Sequence, residues 1–269
     1  MEILGYLASI IIGFVLGLLG GGGSILSIPI LVYLFQVNAV MAAAYSLFIV
    51  GVTSFIGAIS KYKDHLVNIR MGFLFGVPSV ASIFITRKWI IPAIPDIFFQ
   101  HKLFTLSKEN FLLGLFALLM VMASISMIRG KVIEPKTEDY QLKTFLIIFE
   151  GVCIGFLSGL IGAGGGFLII PALVFLTGLK FKTAVGTSLL IISINSLTGF
   201  LGDLINYTMD WKLLLTITTL AVVGILIGNF FSKKISTIKL KKSFGWATLV
   251  VGCYILIREV LLGIKVDQN

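Results

Sequence analysis

Two clusters of small residues in this chain could hold an anion without a formal positive charge beside it. The first is Gly22, Gly23 and Ser24, inside the four-glycine run Gly20–Gly23. The second is Gly164, Gly165 and Gly166. A helix that restarts after such a run exposes unpaired N–H groups, and its dipole favours negative charge. Glycine allows close backbone approach and unusual dihedrals. Two such starts meeting at the middle of a membrane would form a two-sided anion cradle. No Arg or Lys is read in the middle of any apolar segment, which fits a cradle with little need for a buried Arg. Closer helix packing is the other reading of the glycines, and Gly13, Gly17 and Gly20 fit it well.

Hydroxyls and amides come next. Ser46, Thr187 and Ser188 could bond an oxyanion or simply their own helix backbone. For Ser54, Asn195 and Ser196 the structural reading comes first, with Asn195, which aligns with Thr53, kept as a binding candidate. Glu150 is a candidate for proton coupling. Lys61 aligns with Asp203, and both are expected at headgroup level, with a pair across the two halves as the alternative. His65 and His101 fall in loops, and no HExxH, nucleophile-elbow or Walker pattern is present. No metal, cofactor or enzymatic activity is expected.

The elements that carry these residues are duplicated. GFVLGLLGGGGSILSIPILVYL, from Gly13 to Leu34, lies over GFLSGLIGAGGGFLIIPALVFL, from Gly155 to Leu176, at a constant offset. The match runs without a gap to Gly57 and Gly199, with 19 identities in 45 positions. Glycines and prolines align one by one, which shared amphipathicity alone would not produce. For an apolar chain, this implies a two-repeat transporter.

Composition places the duplication in a membrane. The 269 residues are 58% hydrophobic and 12% charged, with mean hydropathy +1.07. Apolar runs of roughly 18–25 residues suffice to cross about 30 Å of hydrocarbon. The net charge of +9 lies between these runs, where it sets topology and meets lipid headgroups, so nucleic acid is excluded as a partner. Cys153 and Cys253 read as small apolar residues within helices, and no cleavable signal is expected.

The expected fold is all-α and polytopic, with two homologous four-segment repeats. Residues 1–128 form the first repeat, 129–143 a charged linker, and 144–269 the second. Each repeat opens with a glycine-broken helix that is re-entrant in the favoured reading. If every segment crosses, the repeats are parallel and about ten positive residues face about eleven. If the broken segments are re-entrant, the repeats are inverted, about fourteen face about seven, and both termini lie outside. The positive-inside rule prefers the inverted arrangement. Pro78 should kink the third segment, and 87–110 should form an interfacial turn.

The doubled motif G-x3-G-x2-G-x-G-G-x5-P-x-L, at Gly13–Leu31 and Gly155–Leu173, resembles the signature of the TauE/SafE sulfite exporter family, in the 4-toluene sulfonate uptake permease superfamily. The stretch AVGTSLL, Ala184–Leu190, resembles the family's A-x-G-T-S block. The first half departs with AAAYSLF, placing Tyr45 where Thr187 stands. The resemblance implies a secondary transporter, an exporter by the family's name, for sulfite, sulfonates or related small organic anions. It also implies a multi-pass protein of a prokaryotic plasma membrane. With no ATP-binding motif, coupling to a proton or to the membrane potential is the default. A membrane scaffold that moves nothing is the alternative. Oligomeric state stays open, a homodimer being one option.

Overall fold

The computed structural model describes residues 2–21, 23–95, 97–101, 104–129, 140–162, 164–177, 179–232 and 237–258. Gly22, linker residues 130–139 and Glu259 therefore lie outside the described residues.

The four-glycine run ends one helix and the next begins just after it. Helix α1 spans Glu2–Leu19 and α2 spans Ser24–Tyr33. The second cluster does the same between α7, Tyr140–Ile161, and α8, Gly166–Thr177. Both breaks begin alike, at Gly20 and Gly162, each with φ +80° and each donating its N–H 2.8 Å to the carbonyl four residues back. The chain then doubles back. Gly23 lies against Ile12 and Leu16 of α1, and Phe35 past the end of α2 packs on Gly5 and Tyr6. Gly165 lies against Ile154 and Ser158 at the same spacing.

Between the breaks run α3, Ala39–Lys63, and α4, Ile69–Ile85; then α9, Phe181–Leu204, and α10, Trp211–Ser232. Asn38 caps α3 by accepting from the Met41 N–H, and Asn68 caps α4 by accepting from the Met71 N–H. Helices α3 and α9 are the buried centre. They pack antiparallel: Leu47 faces Gly199, Gly51 faces Leu197, and Lys61 faces Gly186. Helix α1 runs beside α10, and α7 beside α4, along glycine seams. Helices α6, Lys108–Arg129, and α11, Thr237–Leu256, pack on each other at the side.

Six helices among the described residues are long and apolar enough to cross a membrane: 39–63, 69–93, 108–125, 144–161, 181–204 and 211–232. Outward faces carry Phe73, Phe145, Phe230 and Val250, each more than 60% exposed, as lipid permits and water would not. The chain is a multi-pass membrane protein.

Helix α4 contains Pro78, and a π-helical turn follows at Thr86–Ile90, leading into α5, Ile91–Ala93. One local expectation changes. The 87–110 stretch then forms a two-stranded antiparallel ribbon, β1 Ile97–His101 and β2 Phe104–Ser107, with Phe99 opposite Leu106. Among the described residues, the fold is helical apart from this ribbon.

Candidate functional site

The two glycine breaks meet. Gly21 and Gly166 touch backbone to backbone: a Cβ on Gly21 would lie 2.3 Å from the Gly166 carbonyl oxygen, and one on Gly166 2.7 Å from the Gly21 Cα. Gly166 is the first residue of α8, and Gly21 stands three residues before the start of α2. The N-termini of the two short helices thus converge. No side chain caps α2 at Gly23. Two like dipole ends brought together repel unless negative charge sits near them.

Around this junction the chain is polar and buried. Gly164 and Gly165 have φ +66° and +70°, left-handed conformations that suit glycine. Gly164 abuts the Ser196 hydroxyl, which a Cβ would approach to 2.3 Å, and Gly165 abuts that of Ser158. Both hydroxyls are buried without a hydrogen-bond partner, as is the Ser54 hydroxyl. Orphaned buried hydroxyls are uncommon and point to a missing partner. Asn195 donates its amide 2.6 Å to Ser79 Oγ, and its Oδ1 is left without a partner.

The other sequence candidates are engaged internally. Ser46 shares a 2.5 Å hydrogen bond with Ser27, which donates to the Ser24 carbonyl. The Ser24 hydroxyl closes the break by donating to the Gly21 carbonyl. Ser188 donates to its own helix at the Val185 carbonyl. Thr187 Oγ1 accepts from the Asn68 N–H at 2.9 Å, and Tyr45 Oη accepts from the Asp210 N–H at 2.8 Å. These contacts sit at the same sequence offset. The Tyr45/Thr187 difference in residue type therefore leaves one role intact: each hydroxyl anchors the loop that starts α4 or α10. Tyr45→Phe and Thr187→Val are each expected to lower the melting midpoint, through loss of about 1 kcal/mol, with no change in KM for a transported anion. A raised KM in either variant would return that hydroxyl to the binding site.

The charged residues are placed differently from expectation. Arg87, on the π-helical turn, is fully buried, its Nη1 3.3 Å from Oδ2 of the equally buried Asp203. Asp203 is thus buried and paired with Arg87, not with Lys61. Lys61 is 6% exposed and donates 2.8 Å to Ser232 Oγ. The Arg87 guanidinium reaches the second break, where a Cβ on Gly162 would come within 2.3 Å of Nη2. A buried Arg therefore stands beside the second break, although the glycine cradle is expected to have little need of one. Glu150 is half-buried, with Oε2 lacking a partner. Among the described residues, no group of three His, Cys, Asp or Glu could hold a metal.

A groove of about 660 Å³ opens elsewhere, between α3, α4 and α9, lined by Ala58, Gly72, Gly76 and Leu190 among others. It is apolar, so it suits hydrocarbon and not an anion. At the equivalent offset in the other half, the rings of Phe48, Phe200 and Trp211 meet edge-on or tilted.

Residues 5–255 match the family described as sulfite exporter TauE/SafE. A "probable membrane transporter protein" of Xylella fastidiosa is 31% identical over 263 residues, covering 93% of this chain and 92% of its own. "Probable membrane transporter protein YunE" of Bacillus subtilis is 25% identical, covering 92% and 94%. "Probable membrane transporter protein MJ0441" of Methanocaldococcus jannaschii is 29% identical, covering 72% and 71%. No solved structure matches the chain.

Proposed function

The chain belongs to the sulfite exporter TauE/SafE family, a transporter family and not an enzyme family, and from that premise we propose that it exports a small oxyanion such as sulfite or a sulfonate across a prokaryotic plasma membrane, binding it where the two glycine breaks meet. The observation that carries this reading is the backbone contact of Gly21 with Gly166, which joins two helix N-termini at one buried point. The unpartnered hydroxyls of Ser196, at Gly164, and Ser158, at Gly165, supply donors beside it. Gly23, Ser24, Gly164 and Gly165 shape the backbone around the anion. Ser46 braces the first break through Ser27 and Ser24, Ser188 bonds its own helix, Thr187 anchors the loop before α4, and Asn195 fixes α9 against α4.

The mechanism we favour is alternating access by inverted repeats, with residues 1–128 rocking against 144–269. Its support is the antiparallel packing of α3 on α9, together with contacts that recur at the repeat offset. An antiparallel pair related by a two-fold axis puts that axis in the membrane plane. The doubling back at each break supports re-entrant hairpins. The site residues are buried in the described conformation, which corresponds to an occluded state.

The test is uptake of labelled sulfite by proteoliposomes, with and without a pH gradient. Saturable uptake is expected. A hydrogen bond to a charged group is worth about 1.5–3 kcal/mol, so Ser196→Ala should raise KM on the order of ten-fold or more. No flux of sulfite, sulfonates or carboxylates from folded protein would sink the proposal, and an unchanged KM in the variant would move the site away from Ser196.

A further inference from the structure

The buried pair of Arg87 and Asp203 is poorly made as a structural ion pair. At 3.3 Å it is longer than a charge-assisted hydrogen bond of about 2.7–2.9 Å. Nε, Nη1 and Nη2 of Arg87 all lack a hydrogen-bond partner, and so do both carboxylate oxygens of Asp203. Guanidinium offers five donors in a planar fork, and here charge alone holds them. Removing two charges from water is costly, and the cost is recovered only with good geometry and satisfied hydrogen bonds. This pair has neither.

Its surroundings are glycine backbone on two sides. The arginine leaves the helix on a π-helical turn, a distortion common at functional sites. Its stem packs on Gly202, where a Cβ would come within 3.0 Å of the Arg87 Cβ. Its Nη2 points at Gly162, the left-handed residue that opens the second break. The guanidinium is therefore presented to the same break whose far side, Gly164 to Gly166, meets the first.

We propose that the Arg87 guanidinium is the cationic subsite for the transported oxyanion, and that the Asp203 carboxylate is a resident ligand which the anion replaces. This rests on the transport reading for its substrate and deepens it. The class is a small anion with two oxygens on one atom, able to take the fork bidentately, as sulfite and sulfonates can. When the anion departs, Asp203 returns to Arg87, so the cation never stands alone in the interior.

The experiment compares Asp203→Asn, Arg87→Gln with Asp203→Asn together, and the wild type. Each is purified in detergent and melted in sodium sulfite or in sodium chloride at equal ionic strength. Asp203→Asn leaves Arg87 without a counter-charge, so it is expected to melt below the wild type in chloride and to recover in sulfite. The double variant, having neither charge, should show no response to sulfite. Equal responses in all three proteins, or recovery as large in chloride as in sulfite, would overturn the proposal. Should Asp203→Asn fail to fold, Arg87→Lys in proteoliposomes decides, because it keeps the charge and loses the fork. A rise in sulfite KM of at least ten-fold is expected, and an unchanged KM overturns the subsite while leaving transport intact. Conversely, sulfite-dependent recovery of Asp203→Asn with no flux in the wild type would sink the transport reading and keep the subsite.

Discussion

Gly164→Leu is expected to lower sulfite flux by about 100-fold or more while leaving a folded protein. Two costs combine. At φ +66°, a residue with a Cβ loses roughly 1–2 kcal/mol to the left-handed backbone. The new side chain also starts 2.3 Å from Ser196 Oγ, with Ile192 and Val50 at 3.2 and 3.3 Å, and overpacking of this kind costs about 1–3 kcal/mol. Together these fall short of a typical folding stability of about 5–15 kcal/mol, so the helices should survive. The start of α8 would not keep its place, and displacement of a binding group by about 1 Å can cost 100-fold in rate. Gly166→Leu should do the same by another route, since its Cβ would strike the Gly21 backbone and no side chain can swing aside. Gly76→Ala is the comparison, because its Cβ would meet nothing nearer than 3.9 Å. Labelled uptake measured beside a melting curve reads both quantities. Flux within two-fold of wild type in Gly164→Leu would remove the glycine junction from the transport path.

The location of this junction was legible from residue types, because a glycine run inside an apolar stretch has one local consequence. The helix stops at Leu19 and restarts at Ser24, with little help from tertiary contacts needed to foresee it. Close packing by Gly13 and Gly17 was legible for the same reason. Arg87 was not. Along the chain it stands beside Lys88 and Trp89, a few residues before Pro92 and Pro95, which reads as the end of a segment. It is buried on a π-helical turn, against two glycines remote in sequence, Gly162 at the second break and Gly202 on α9. Its partner Asp203 is equally remote in sequence. The ribbon at 97–107 escaped for a different reason: strands of four or five residues are too short to show a period. Tyr45 and Thr187 show a further limit. The residue types differ, yet each oxygen accepts from the N–H just before a helix of the other half, a match visible only once both loops are placed.

The second large effect is expected at the seam that holds the first hairpin, where Gly13→Leu should abolish recovery of folded protein. A Cβ on Gly13 would lie 1.8 Å from the Ala221 carbonyl oxygen. The contact is mutual: Cβ atoms on Gly224 and Gly228 would lie 2.1 and 2.2 Å from the carbonyls of Ile10 and Phe14. Backbone meets backbone along two turns, so only movement of a whole helix could relieve the overlap. In hydrocarbon that movement is costly to cohesion, because lipid is as apolar as leucine and helix association relies on close packing. Even Gly13→Ala should lower the melting midpoint clearly, whereas Gly72→Ala, with its nearest contact at 3.3 Å, should do so much less. The same holds for Gly155, at the repeat offset from Gly13, where a Cβ would come within 2.4 Å of the Ser79 carbonyl. Size-exclusion profiles and melting curves of these variants in detergent provide the check, and an unchanged midpoint in Gly13→Ala would refute the seam. The seam also bears on transport. It fixes α1 on α10, α1 carries the first break, and that break reaches Gly166 only while the seam is closed. Loosening Gly13 should therefore weaken anion binding at a site that Gly13 does not touch.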